Sequence, residues 1–441
     1  MLQVEQQIAT DGVVDKNLLK AVLTYHDAMK SNMNKLKRYY DGEHDILSRN
    51  LPAEKPNNRV VVNYCKYISD IMQGYFIGKP VSYKYEDDRM NETFQDIHKY
   101  NDEQDENSEL ANLLSIYGNG YEIIFADENG DIRYNEVSPL EAIIAYDTKI
   151  TPEPMFAVRQ YDVTDIVDNT TVTKIEVYDK DNIYYLEKST AGIMQTDVQD
   201  HFFDDVPIVE FINNKDRKGD FESIITMNDA YNLAMSNTQN DAEYFSDSYL
   251  ALVGMSGTQE DDIVEMKQNR VLLLDEAGQA YFLVKPSNDA ESEHNKERIN
   301  SDIHKMSFIP DISDESFASN ASGVAMSYKL FALDQIIANK ERKFKTGLLR
   351  RLELICNFLA KKNIVYDYKQ VEVQFSRNKP VDEKTAVEIF AILKGLVSDQ
   401  TAYTILPYIE DAQKELEQVE KERENDVAYM PIEVTADEEG I

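Results

Sequence analysis

Residues 221–252 place Ile224, Met227, Tyr231, Ala234, Thr238, Ala242, Phe245, Tyr249 and Leu252 at steps of three and four. That spacing puts them on one continuous face of an α-helix. The other face carries Asp229, Ser236, Asn240, Glu243 and Asp247. Such a helix runs roughly 45 Å, more than a small domain normally buries, so a packing partner is expected. A longer pattern follows at 323–362, with Val324, Tyr328, Phe331, Phe344, Leu348, Leu352, Ile355 and Leu359 on its apolar side. Its length is roughly 60 Å, and Gly347 inside it would permit a bend.

Between these two lies a third helical pattern, about 289–308, with Glu291, Glu293, Glu297, Arg298, Asp302 and Lys305 set against a seam of Ile299, Ile303 and Met306. A helix this polar packs against copies of itself or is solvated, and the long helix before it favours packing. A short β-rich stretch, 255–286, separates the two. Upstream, residues 17–40 read as a helix stopped by Asp41-Gly42, and 62–76 as a second helix. From Tyr117 to about Phe211 the pattern turns strand-like, with hairpin turns at 128–131 and 180–182. A strand at 371–377 precedes C-terminal helices interrupted at Pro407, and the acidic tail from 431 reads as disordered. The class is α+β, in roughly two to four sub-domains. The helix–β–helix excursion has little core of its own, which marks a subunit completed by its neighbours.

Charge points away from a protein that grips nucleic acid. The chain has 46 basic and 81 acidic residues, a net −35. DNA binding usually gains affinity by neutralising phosphates with Lys and Arg, and this surface would repel DNA. Either the chain never meets nucleic acid, or it meets DNA where sticking would be a fault. No apolar run reaches the roughly 18–20 residues of a membrane span. The N-terminus lacks the pattern of a signal peptide, which predicts a protein that stays in the cytoplasm. Cys65 and Cys356 sit in apolar helical patterns and read as two buried thiols.

Catalytic signatures are missing. Gly78-Lys79 runs into Pro80, so there is no P-loop, and no H-E-x-x-H, C-x-x-C or G-x-S-x-G occurs. Lys345-Thr346-Gly347 matches a β-lactamase-type triplet but lies within a helix and has no S-D-N partner. Asp127, Asn129 and Asp131 resemble part of a calcium loop, yet the closing Glu is absent and strands flank them, which favours a turn. No cofactor or metal is expected. An acidic, metal-dependent hydrolase and a capsid-associated assembly protein unconnected with DNA are the competing readings.

Four strings resemble the portal proteins of long-tailed bacteriophages. They are Tyr39–Leu47, residues 57–83 (NNRVVVNYCKYISDIMQGYFIGKPVSY), 240–254 and 316–355, in the family's order. The resemblance covers about residues 17–425 and implies a ring of about twelve subunits around a channel at one capsid vertex. It divides the chain into a wing at 1–220, stem helix 221–254, clip 255–288 and second stem helix 289–309. A tunnel loop at 310–322, the long helix and returning wing strand at 323–379, crown helices at 380–430 and a tail at 431–441 complete it. The implied role is DNA packaging, genome retention, ejection and head–tail joining, without enzymatic activity. The implied partners are the terminase motor, head-completion adaptors, major capsid and scaffolding proteins, and duplex DNA passing without sequence specificity. The implied location is the virion, with assembly in the host cytoplasm and no membrane.

On this basis Asp311, Ser313, Asp314, Glu315, Phe317 and Asn320 are expected in the channel loop, with Phe317 either touching DNA or anchoring the loop base, the anchor being preferred. Asp229, Asn240, Glu243, Asp247, Glu297 and Asp302 are expected on the stem and channel face. Lys340, Arg342, Lys343 and Lys345, with Arg350 and Arg351 nearby, interrupt the acidic background. They surround several sides of the long helix, which favours subunit contacts over DNA contacts.

Overall fold

The carboxylate of Asp15 accepts from the backbone N–H of Asn17 and Leu18 and so opens α1, Lys16–Tyr40. Leu19, Val22, Leu23, His26, Met33, Leu36 and Tyr39 form its buried stripe, and Gly42 at φ +86° turns the chain away. The computed structural model describes residues 1–53, 55–85, 87–189, 192–246, 250–253, 259, 261, 279–282, 289–311, 323–377, 383–406, 409 and 412–428. Two compact units result, Met1–Asp311 with Ala332–Asn378, and Ile312–Phe331 with Lys379–Ile441.

In the first unit, α1 is followed by α2, Tyr64–Ile77, α3, Asp88–Tyr100, and α4, Glu103–Tyr117. A six-stranded sheet has the order β1 (Leu2–Gln3), β7 (Ala142–Tyr146), β8 (Pro154–Asp165), β9 (Thr170–Tyr178), β10 (Asn182–Ser189) and β11 (Gly192–Asp200). A three-stranded sheet runs β12 (Ile208–Ile212), β5 (Asn119–Ala126) and β6 (Ile132–Val137). Alternation sorts the side chains of the larger sheet between its two faces. Ile143, Ala145, Phe156 and Val158 join Leu19, Val22 and Leu23 of α1 in one core cluster. Ala142, Ile144 and Ala157 join Tyr121, Ile123 and Ile208 of the smaller sheet in another. Both expected hairpins are present, as β5–β6 and β9–β10. Asp127 closes the first by accepting from the N–H of Asn129 and Asp131, an Asx turn as the sequence suggested.

Two helices and a long third one complete the unit. They are α5, Ile225–Ser246, α6, Asp289–Ser307, and α7, Gly323–Lys361, of which Ala332 onward belongs to this unit. The short β13 (Leu250–Val253) and β14 (Gln279–Phe282) pair antiparallel between α5 and α6. The returning strand, β15 (Glu372–Gln374), pairs with β4 (Ser82–Lys84), and near the N-terminus β2 (Ala9–Thr10) pairs with β3 (Val13–Val14). Along α7, Phe344, Leu348, Leu352, Ile355 and Leu359 are buried as expected, whereas Tyr328 and Phe331 near its start are 79% and 61% exposed. Gly347 serves close approach: a Cβ there would lie 2.4 Å from the Phe211 ring. The second unit holds α8, Glu383–Leu393, α9, Asp399–Tyr403, and α10, Ala412–Ala428, with the Phe390 and Tyr403 rings 5.6 Å apart.

Cys65 and Cys356 are both buried free thiols, and burial pushes each up to about 12. Four histidines are held neutral by burial. His26 meets the Pro139 carbonyl at 2.7 Å, His44 that of Tyr39 at 3.0 Å and His201 that of Asp179 at 3.0 Å, and each is lowered by burial. His98 is pushed down to about 3 by burial and then by Arg351. Each takes up its proton more readily when unfolded, so this stability is complete above the unfolded value of about 6.5 and is lost as pH falls. Urea midpoints are expected to drop steadily between pH 7 and 5, and a flat profile would contradict these burials.

Candidate functional site

The polar row of α5 is its buried row. Asn228, Asn232 and Ser236 are each fully buried and recur every four residues. They face the extended chain at 57–63, whose backbone groups have no strand partner. Val60 N–H donates to Ser236 Oγ at 2.9 Å, and Val62 N–H to Asn232 Oδ1 at 2.8 Å. Asn228 Nδ2 donates to the Val62 carbonyl at 2.8 Å, and Asn58 N–H to Asn240 Oδ1 at 2.7 Å. Helix side chains thus satisfy an extended segment that would otherwise bury unpaired backbone. Asn232 Nδ2 also donates to His44 Nδ1 at 2.9 Å, which leaves His44 Nε2–H for the Tyr39 carbonyl. Asn232→Leu would strand Val62 N–H and His44 together, and about 1–3 kcal/mol of stability should be lost. Leu233→Ser, at a position 45% exposed, should change the urea midpoint little by comparison.

Three of the residues expected on the channel face of α5 make contacts within the unit. Asp229 accepts from the Tyr39 hydroxyl at 2.9 Å, inside the unit. Asn240 binds Asn58, and the exposed Glu243 accepts from Asn58 Nδ2 at 2.5 Å. The opposite row, with Tyr231 and Thr238, is only half-buried. The more deeply buried row is the hydrogen-bonding one, because the extended chain needs hydrogen-bond partners more than it needs apolar cover.

Helix α6 packs on α5. Thr238 Oγ1 and Ser292 Oγ lie 3.2 Å apart, while Tyr64 touches Tyr231 by its ring edge and Asn300 through its hydroxyl at 2.6 Å. Position 238 therefore meets 292 and position 231 lies near 300, so the helices run antiparallel. Ile303 of the expected seam is fully buried, but Met306 is 51% exposed. Glu297 and Asp302 stay toward solvent, beside His294 at 3.6 Å and Arg298 at 2.9 Å. Phe308, at φ +61°, ends the helix, and Ile309 beyond it is buried. Asp311 lies 3.8 Å from His304 Nε2, and its carboxylate accepts from Asn300 at 3.5 Å. Asp247, Ser313, Asp314, Glu315, Phe317 and Asn320 lie outside the described residues, as do 312–322 and most of 255–288.

The basic residues of α7 are put to several uses, most of them internal. Lys340 is 2% exposed and pairs with Asp220 at 2.7 Å. Its expected place at a subunit or DNA surface is therefore corrected to an internal ion pair, because an ammonium buried this deeply needs a carboxylate. Lys345 donates to the Val373 carbonyl at 3.4 Å, Arg342 turns back on the Ala338 carbonyl at 3.0 Å, and Lys343 is half-buried. Arg350 pairs with Asp205 and Glu353, each at 2.7 Å. Arg351 is fully buried and forks onto Glu122 at 2.6 and 2.8 Å, with Glu103 at 3.3 Å and Asn107 at 2.8 Å. Asn107 in turn donates to Glu103, as does the Tyr83 hydroxyl at 2.5 Å. Sequence reasoning missed this cluster, although an arginine amid Leu348, Leu352 and Ile355 was a signal that something anionic waits inside. Among the described residues no group of His, Cys, Asp and Glu could hold a metal ion, and no helix is long and apolar enough to cross a membrane.

Comparison with known proteins matches residues 19–429 to the family described as "Phage portal protein, SPP1 Gp6-like". The chain belongs to the phage portal protein family. The portal protein of Bacillus phage SPP1 is 26% identical over 447 residues, covering 96% of this chain and 86% of that one. The portal protein of Clostridium phage phiCD119 is 23% identical, covering 90% and 93%. Among solved structures, the neck of an empty GTA particle computed with C6 symmetry aligns at TM-score 0.48 and 12% identity, over 78% of this chain and 90% of that one.

Proposed function

We propose that this chain is the repeating unit of a ring of about twelve copies that conducts duplex DNA through one capsid vertex. The observation that carries this reading is the family match over residues 19–429. The net −35 per copy supports conduction over gripping, since an acidic wall repels phosphates and lets the duplex slide. In this reading the first 220 residues form the wing, and α5 and α6 form the stem. The segment between them is the clip on which the terminase motor and later the head-completion adaptors dock, and the helices from 380 form the crown. The ring holds its place among major capsid and scaffolding proteins in the virion, is assembled in the host cytoplasm, and performs no catalysis.

Loop 311–320 is the channel constriction in this account, supplied by Asp311, Asp314 and Glu315. Phe317 anchors its base. The hold of Asn300 on Asp311, beside His304, supports a fixed point of departure from α6. Replacing 312–320 by a Gly-Ser linker should leave rings intact and cut the yield of DNA-filled heads in a complementation assay. Normal packaging by intact variant rings would overturn the loop assignment.

A further inference from the structure

The pair Asn-Gly occurs twice in the chain, at 119–120 and 129–130, and the fold treats the two oppositely. Asn119 is 6% exposed in β5, and its amide donates to the Tyr121 hydroxyl at 3.2 Å and to Glu210 at 3.3 Å. Gly120 stands opposite Phe211 inside the three-stranded sheet. A carboxamide held by two partners in a paired strand cannot swing onto the next backbone nitrogen. Asn129, by contrast, is exposed at the tip of the β5–β6 hairpin. Among the described residues its backbone N–H is bonded, to Asp127, but its carboxamide makes no hydrogen bond.

Gly130, at φ +79°, leaves the approach open. Where a Cβ would stand, the nearest atom is Lys362 Nζ at 3.8 Å. The Gly130 N–H donates to the Asp127 carbonyl at 2.9 Å, and Lys362 donates to the Gly130 carbonyl at 2.6 Å. The turn must therefore open before the Gly130 nitrogen can react. A hairpin tip opens locally at a small part of the global unfolding free energy. The Lys362 ammonium favours a deprotonated amide beside it, whereas Asp127, Glu128 and Asp131 oppose one, so the reaction is slow.

We propose that Asn129 is a self-modification site of the folded chain, converting to aspartate and isoaspartate without an enzyme. The Gly130 amide nitrogen gives its proton to solvent and attacks Cγ of Asn129. The Cγ–Nδ2 bond breaks, Nδ2 takes a proton from solvent and leaves as ammonia, and a succinimide ring closes. Water then adds at either ring carbonyl, and the bond from that carbonyl to nitrogen breaks, returning a proton to the Gly130 nitrogen. Opening at Cγ leaves aspartate; opening at the main-chain carbonyl leaves isoaspartate. Isoaspartate routes the main chain through Cβ. The added methylene shifts the Gly130 N–H off the Asp127 carbonyl and the Gly130 carbonyl off Lys362, so the tip loses its hold on the residue that follows α7.

The full-length folded protein, aged at mildly alkaline pH and then digested in mildly acidic buffer, tests this by peptide mass spectrometry. Trypsin releases both Asn-Gly pairs in one peptide, Tyr100–Arg133, so Asn119 is an internal control. The expected result is conversion at 129 more than about tenfold faster than at 119, because local opening exposes the first pair to reaction and not the second. Isoaspartate should exceed aspartate in the product, and Asn129→Ser should abolish the mass gain. In urea both sites should convert. Conversion in urea but none at 129 in the folded protein would mean that the turn protects Asn129, and the proposal falls. Equal rates at 119 and 129 in the folded sample would assign the reaction to global unfolding and overturn it as well. Aspartate without isoaspartate would overturn the succinimide route, and unchanged hydrogen exchange across 127–131 in converted protein would overturn the loosening of the tip.

Discussion

Arg351→Met is expected to cost about 3–5 kcal/mol, enough to leave much of the chain unfolded. Arg351 neutralises Glu122, and both side chains are fully buried. Burial already pushes Glu122 upward from the ordinary carboxylate range, and the guanidinium opposes that push. Removing it leaves a carboxylate with no counter-charge in a low-dielectric interior, so Glu122 must take up a proton or draw in water. Adding Glu122→Gln to Arg351→Met should recover a large part of the loss, because the stranded charge disappears. Arg351→Lys should fall between, since an ammonium cannot fork onto both Glu122 oxygens and still reach Asn107. Urea denaturation followed by circular dichroism reads all three, and an unchanged midpoint in Arg351→Met would contradict the cluster's role.

Gly347→Ala is expected to be nearly as damaging, although it adds one methyl group. The new Cβ would stand 2.4 Å from Phe211 Cδ1 and 2.5 Å from Cε1. Phe211 has no room to yield. It is fully buried, it sits in β12, and its ring centroid lies 4.9 Å from that of Phe344. Overpacking of this kind costs about 1–3 kcal/mol or more when neither side can move. Gly347→Ala with Phe211→Leu should be more stable than the sum of the two single losses predicts, because the smaller side chain vacates the clash. Simple additivity would mean that Gly347 matters for helix bending, as the sequence suggested, and not for close approach.

Much of the fold was legible because it rests on long periodic signals. The limits of α1, the two hairpins, α5 and the 39-residue α7 follow from apolar spacing and turn residues. Helices α3 and α4 did not stand out. α4 begins at Asp102 in the left-handed region and buries Glu103 and Asn107 in its first turns, which defeats a search for apolar periodicity. The same blindness hid the polar row of α5, where Asn228, Asn232 and Ser236 repeat every four residues as regularly as any apolar stripe. Nor could sequence divide the basic residues of α7 into internal and external ones. Lys340 and Lys343 are three residues apart, yet Lys340 meets Asp220, a partner 120 positions away, while Lys343 is only half-buried. Periodicity reports what must be hidden from water; it does not report which polar groups find each other.

The central claim is that the working unit is a ring with a passage for DNA, and negative-stain electron microscopy of the purified chain tests it most directly. The account predicts closed rings of about twelve copies with a central opening wide enough for duplex DNA. Discrete monomers without rings under every salt condition would contradict it.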